Sequence, residues 1–582
     1  MLNSDRTTGG EPSSRWFREY QFWLLILLVL AIYFPRMTDL SVRGEETRRA
    51  QVAVEMLETG DWIVPRQQGQ IYLSRPPMQN WLMALVGRVR GEVDQIAIRL
   101  PSSLAILLTT ILIYGYSRLF LKPTASLVSG AAFITMGQVI ELGWLGETEA
   151  VFTLFVSASL LLWHWGDQRE WSPWLKWGLP YLMVAYGCLA KGFQAPVYFA
   201  ATVGLYLLYK RRWKEAASLP HLAGILIFFA VWGSWQLAYL SQSGLENSQN
   251  VYMRMINQRF DSSSPMTVLT HMAEFPLHTF FCTLPWSGLL FVLCYPGFWK
   301  TVGQAQSQLF FLGTSVIIAF LSLWMVPGAV TRYLMPVYPC LAIIIGLVAQ
   351  RCWENEDSKS LWSQSWRWQV RFVAGAICAV AVVLLTVTMR LDPTSMDWQP
   401  TGFAIAFSVW CMVLAATLGT LSRRNSRENA ILTTLTMVVF VGTTFMGPWV
   451  NRLIRHTPAT EQAVAEVREL IPAGERFVSI GRIYHPFAYH WKEFIPVVDP
   501  QRQAVFPDDV TYFCFNAVRR NPSRIYPNFQ WKKLGEIVCD RWILPNPNDV
   551  VIIGRRLTPD ESPSAPDSHR PRLAADPQPS EL

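Results

Sequence analysis

Apolar runs close to membrane-crossing length recur along the chain, separated by short polar gaps, until about residue 450. A helix needs about 20 mostly apolar residues to cross the hydrocarbon core. The runs at 22–34, 98–120, 125–142, 149–165, 178–190, 193–209, 221–240, 276–298, 309–326, 332–350, 371–389, 402–421 and 430–448 predict an α-helical polytopic membrane protein with about thirteen transmembrane helices. The first run follows Arg15 and Arg18 as a signal peptide would, but Pro35-Arg36-Met37 offers no small-residue cleavage site, so it reads as a retained span. Runs 178–190 and 193–209 are short and divided only by Lys191-Gly192, and a re-entrant pair is the alternative there.

Two regions break this pattern. The first loop, 36–97, holds an amphipathic stretch in which Ala53, Met56, Leu57 and Gly60 form an apolar stripe at helical spacing. From residue 450 the composition turns polar. A helical pattern at 459–470 and β-rich runs at 476–480, 510–515, 535–539 and 549–554 predict a small C-terminal α/β domain over 450–557, after a membrane domain over 1–449. Residues 1–15 and the Pro- and Ser-rich tail 558–582 read as disordered.

The net charge of +8 does not point to nucleic acid, because the cations sit in short loops between spans. The 26 tryptophans fit interfacial belts. With a cytoplasmic N-terminus, Lys210-Arg211-Arg212, Lys214, Arg423, Arg424, Arg427 and the segment 351–371 fall inside, as the positive-inside bias asks. The first loop, Glu147-Thr148-Glu149, Lys191, the 242–275 loop, Arg332-Tyr333 and the C-terminal domain then share the outer face. No CxxC pattern suggests zinc or redox chemistry, while Cys514 and Cys539 are either a disulfide or two core thiols.

The outer face carries the candidate chemistry. Glu45 and Glu46 precede Arg48 and Arg49; this is either a helix start with local ion pairs or a carboxylate placed at a reacting centre. Glu149 opens an apolar run, and an ionisable group there is costly enough to be a functional hypothesis. Glu147 beside it reads as a hydrated interfacial acid, and two carboxylates without further ligands do not indicate a metal. Lys191, Arg332, Arg254, Arg259 and Arg75, which Pro76-Pro77 holds still, are either interfacial anchors or phosphate ligands.

The ordered motifs resemble the aminoarabinose transferase and protein O-mannosyltransferase superfamily, membrane glycosyltransferases of the GT-C type. The family's D-E-x-R-Y-A-E, G-D-W and K-P-P-L-x-Y-W correspond to Glu45-Glu46-Thr47-Arg48-Arg49-Ala50-Gln51, Gly60-Asp61-Trp62 and Arg75-Pro76-Pro77-Met78-Gln79-Asn80-Trp81. Its R-T-D-x-x-L-x-L-F, L-x-K-G-P and R-Y-L-L-P-x-Y-P correspond to the segments that carry Glu149, Lys191 and Arg332-Tyr333. Both family Asp positions hold Glu, and Arg49 and Asn80 stand where the family has Tyr.

The resemblance implies transfer of a sugar from a polyprenyl-phosphate donor to a lipid A-like lipid or a protein, on the outer face of a bacterial inner membrane. Glu45 and Glu149 would be the catalytic acids. Arg48, Arg75, Lys191, Arg332 and Tyr333 would bind donor phosphate, with Glu46, Glu147 and Trp81 on the acceptor side. No cofactor is required, and neither a metal nor nucleic acid is expected. The alternative is a transporter or flippase of a lipid-linked sugar, although the inverted repeat common in transporters is not visible.

Overall fold

The computed structural model describes residues 16–38, 42, 44–260, 264–355, 360–390, 400–423, 427–445, 460–503, 505–517, 521–527, 529–539 and 549–557. The two terminal segments read as disordered therefore lie outside the described residues. The first apolar run is α1 (Tyr20–Tyr33). The loop after it folds as α2 (Glu45–Thr59), a hairpin of β1 (Arg66–Gln67) and β2 (Gln70–Ile71), and α3 (Met78–Arg90). The bundle continues with α4 (Gln95–Ser117), α5 (Pro123–Thr135), α6 (Gly137–Leu142), α7 (Thr148–Gln168), α8 (Pro173–Lys191) and α9 (Gln194–Tyr209). It closes with α10 (Leu219–Phe228), α11 (Ser234–Phe260), α12 (Pro265–Cys282), α13 (Pro296–Val302), α14 (Gln306–Trp324), α15 (Tyr338–Glu354), α16 (Ser365–Arg390), α17 (Pro400–Leu421) and α18 (Arg427–Phe445).

The described residues of the apolar runs fall largely on helix, and 446–448 of the last run lie outside the described residues. By length and composition, seven helices among the described residues can cross a membrane, or eight if a bent pair counts as one span. Two runs depart from expectation. The run 276–298 is not one straight helix: the chain turns by 114° between α12 and a 3-10 segment, Ser287–Cys294, where Pro285 offers no backbone N–H to continue the ladder. The expected loop 242–275 is largely helical, because α11 runs on past a kink at Gly244, where φ is +83°. Arg254 and Arg259 lie in that part of α11, and their side chains fall outside the described residues. The tryptophans also do more than line the interfaces. Trp163 stacks on Phe311 in the interior, and fully buried Trp286 donates to Thr135 Oγ1 at 2.8 Å.

The loop is held by short-range chemistry. Gly60 ends α2 in the left-handed region, at φ +70°. Gln68 and Gly69, at φ +50° and +71°, make the two-residue turn that joins β1 to β2. The buried Glu55 carboxylate accepts from both N–H groups of that turn. Asp94 caps α4 by accepting from the Ala97 N–H at 2.8 Å.

The polar C-terminal region begins with α19 (Thr460–Arg468) and builds a mixed sheet from β3 (Phe477–Ile480), β4 (Val497–Val498), β5 (Tyr512–Asn516), β6 (Trp531–Val538) and β7 (Val550–Arg556). The strand order is β4-β3-β5-β7-β6; β3 runs parallel to β4 and β5, and β7 pairs antiparallel with β5 and β6. Alternation along β5 sends Phe513 and Phe515 to a face shared with Val478 and Phe506, and Cys514 to one shared with Val551 and Ile553. Cys514 and Cys539 are both buried, and no disulfide joins them.

This region sits against the first loop. Arg482 donates to Gln70 Oε1 and the Ile71 carbonyl, the Ile483 N–H donates to Gln68 Oε1, and the Tyr489 hydroxyl donates to the Val93 carbonyl. The short helix α20 (His485–His490) brings His485 Nδ1 to 2.8 Å from Thr47 Oγ1. Thr47 gives its own proton to the Gly44 carbonyl, so the ring donates from Nδ1. Burial first, then the charges of Arg48 and Arg49, hold His485 well below the usual imidazole range. The docked state therefore binds fewer protons than the separated one. Docking is full above the ordinary imidazole value of about 6.5 and weakens as pH falls below it. Hydrogen exchange at α2 and α20 should accelerate together between about pH 6.5 and 5, and His485→Gln should flatten that dependence.

Candidate functional site

The site forms at one end of the bundle, where the start of α7, the end of α8, the segment before α15 and the first loop converge. Glu149 is buried in the first turn of α7, and Lys191, buried in the last turn of α8, pairs with it at 2.7 Å. Gly192, at φ +89°, ends α8 directly behind that lysine. Lys191 Nζ also lies 4.5 Å from the centre of the Tyr333 ring and 5.7 Å from that of Phe152. Arg332 in the segment Thr331–Val337 reaches Glu147 at 3.1 Å and Glu149 at 3.7 Å. One cation pair thus straddles one acid pair.

The first loop adds a second group. Glu45 pairs with Arg48 at 3.0 Å and more loosely with Arg49 at 3.7 Å, and about a third of its side chain is exposed. Arg49 is buried; its Nη1 donates to the Tyr72 hydroxyl at 3.4 Å, and its charge is felt together with those of Glu147 and Glu149. Arg75 donates to the Ser74 carbonyl at 2.8 Å, and its charge acts on Lys191. Glu147, just before α7 begins, is pushed up to about 7, by burial and then by the negative charge of Glu149. Near neutrality it exchanges a proton, and Glu45 is the more exposed of the two acids. Among the described residues no group of three or more His, Cys, Asp or Glu side chains gathers as a metal site, and both Glu147 and Glu149 are turned towards cations.

Two of the expected residues stand apart from this cluster. Glu46 is buried against Arg99: Oε1 accepts from Nε and Oε2 from Nη2, each at 2.9 Å, and Oε1 also accepts from the Gly146 N–H at 2.7 Å. Its oxygens are occupied in tying α2 to α4 and to the entry of α7. Trp81 donates to the Trp62 carbonyl at 2.7 Å and closes the loop on itself.

Residues 74–235 match the family of dolichyl-phosphate-mannose-protein mannosyltransferases, a segment that contains Arg75, Glu149 and Lys191. Undecaprenyl phosphate-alpha-4-amino-4-deoxy-L-arabinose arabinosyl transferases are similar to it. One from Pseudomonas paraeruginosa is 28% identical over 359 residues, 59% of this chain and 62% of its own. One from Pseudomonas aeruginosa is 30% identical over 329 residues, 55% of this chain and 58% of its own. The chain thus spans only 58–62% of the length of these two relatives. The crystal structure of ArnT from Cupriavidus metallidurans bound to undecaprenyl phosphate matches with a TM-score of 0.68 at 17% identity, over 91% of this chain and 97% of that one. The chain has the ArnT fold.

The resemblance of the ordered motifs to the aminoarabinose transferase superfamily is borne out at the level of the fold, as is the expected polytopic membrane architecture with a small C-terminal sheet region. Within this ArnT fold, Arg99 is the residue that reading the chain passed over. It is an arginine just inside an apolar run, where an ionisable group marks a special role by default. Glu46→Ala would leave it buried without its carboxylate, at a cost of about 3–5 kcal/mol. Thermal unfolding in detergent should show a fall of several degrees, partly recovered when Arg99 is also changed to Met.

Proposed function

We propose that the protein is an integral membrane glycosyltransferase that moves a sugar from a polyprenyl-phosphate donor to a lipid, of the lipid A kind, or to a protein acceptor. The observation that carries the reading is the cluster of Arg75, Lys191, Arg332 and Tyr333 beside paired carboxylates at one end of an apolar bundle. A polyprenyl chain lies in the membrane, and its phosphate meets cations at the end of the spans. The similar transferases are named for an undecaprenyl phosphate-linked sugar, and the ArnT structure is bound to undecaprenyl phosphate. The reading places this chemistry on the outer face of a bacterial inner membrane, with the C-terminal region on the same side.

In the reaction, an acceptor oxygen attacks the anomeric carbon of the sugar. The bond from that carbon to the phosphate oxygen breaks, and polyprenyl phosphate leaves with the electron pair. Arg75 and Lys191 stabilise the charge that grows on the leaving phosphate. Glu45 takes the proton of an acceptor hydroxyl, or orients an acceptor phosphate that has none to give. The Glu149–Lys191 pair holds the ammonium at the end of α8, so that phosphate meets a fixed charge.

Native mass spectrometry of the protein in mild detergent should show retained polyprenyl phosphate or its glycosylated form, lost in an Arg75→Ala, Lys191→Ala double variant. Intact protein that retains no such lipid when polyprenyl-phosphate sugars are supplied would refute the donor site. Glu45→Gln should remove transfer in liposomes while leaving insertion and lipid retention intact; binding without transfer in the unaltered protein would favour a flippase. Protonation of Glu147 as pH falls through about 7 frees Arg332 for phosphate, so lipid retention should rise on acidification. Glu147→Gln should hold retention near the low-pH value throughout.

A further inference from the structure

We infer that Phe193, Trp232 and Tyr252 form an aromatic collar around the isoprene unit next to the donor phosphate. Phe193 thereby makes the site select an allylic polyprenyl phosphate over one whose first unit is saturated. The inference rests on the polyprenyl-phosphate donor proposed above. Phe193 follows Lys191 by two residues, across the break at Gly192, and stands where the L-x-K-G-P motif has proline. It is 45% exposed at the head of α9. Its ring centre lies 5.3 Å from that of Trp232, edge-on, and 5.0 Å from that of Tyr252.

The other two rings are braced. Trp232 lies on a π-helical turn, Phe229–Gly233, between α10 and α11. Such turns are rare and gather at functional sites. Trp232 stacks on Phe228, with ring centres 5.6 Å apart, and donates to the Tyr252 hydroxyl at 3.3 Å. Tyr252, on the limb of α11 beyond the Gly244 kink, donates to Gln236 Oε1 at 2.7 Å, which holds that limb back against the first. Phe193 is left as the most exposed ring of the three.

Position says what that ring meets. The helices α9 and α10 and the π-helical turn all pack on α8, whose last turn carries Lys191. Away from the collar, Val197 and Leu205 on α9 and Leu222 and Leu226 on α10 are exposed, so this side of the bundle faces lipid. A chain esterified to a phosphate at Lys191 and running into lipid passes the collar with its first unit. An allylic unit is planar about its C=C bond and lies flat on an aromatic face. A saturated unit is tetrahedral at the same carbons and stands off it. The cations hold either phosphate equally, so the collar discriminates by chain and not by charge.

The test uses the full chain in mild detergent with two short probes, neryl phosphate and (S)-citronellyl phosphate. They share one carbon skeleton and differ only in the double bond of the first unit. Each is titrated against bound undecaprenyl phosphate, and displacement is read by native mass spectrometry. Neryl phosphate should displace the lipid at about tenfold lower concentration. Phe193→Leu, which keeps an apolar side chain, should shrink that ratio to about twofold or less, and Phe193→Tyr, which keeps the ring, should preserve it. Trp232→Leu should shrink the ratio in the same direction. Equal displacement by the two probes in the unaltered protein would overturn the inference. So would a Phe193→Leu variant that binds both probes more weakly at an unchanged ratio, since that is what a merely structural role predicts. Failure of the unaltered protein to bind undecaprenyl phosphate at all would instead overturn the donor reading and carry this inference down with it.

Discussion

A charge that leaves water for the end of an apolar bundle has to be met by an opposite charge, and Glu46 with Arg99 is where this chain meets that demand most completely. Both side chains are out of solvent, joined by two parallel hydrogen bonds, with Met37 and Gly146 backbone groups taking up remaining capacity. The Arg99 guanidinium also lies 4.8 Å from the centre of the Trp144 ring. Such a pair is a poor source of net stability compared with apolar packing. Its value lies in geometry. The fork of the guanidinium admits few orientations of the carboxylate, so the start of α2 is set relative to α4 and α7. Every charge one turn further along α2 inherits that setting.

The same demand explains the division of labour among neighbouring acids. Glu45 and Glu46 are consecutive on a helix, so their side chains leave it about 100° apart and cannot share one environment. One is buried against Arg99, and the other stays partly in solvent beside Arg48. Glu147 and Glu149 flank a single residue at the mouth of α7 and share Arg332, while only Glu149 takes the ammonium of Lys191.

Much of the fold was legible because apolar length is a strong physical signal: the described residues of the predicted runs lie largely on helix, and four C-terminal strands fall within a few residues of the β-rich segments, while the two-residue β4 was not foreseen. Glu149, Lys191 and Arg332 were legible as separate residues, since each is an expensive charged group beside apolar sequence, and Tyr333 was legible through its motif. Their contact was not, because nothing local links positions so far apart. Arg99 shows the limit most clearly: its partner lies 53 residues away, and a lone arginine near a span end reads as an anchor. The hairpin at Arg66–Ile71 has strands of two residues, too short to carry alternation, and is set by the turn and by Glu55 instead. The bend in 276–298 was hidden because composition alone does not register a change of direction.

The Gln68-Gly69 turn is addressed from both sides: Glu55 fastens it to α2, and Ile483 and Arg482 reach it and its flanking strand from the C-terminal region. It works as an adaptor between the first loop and the C-terminal region. A C-terminal region transplanted from a relative would find a mismatched socket unless the six residues of the hairpin travelled with it. Recombination breakpoints in this lineage are accordingly expected to spare either the whole pair or neither, which makes the hairpin and the distant segment around Arg482 inherit as one unit.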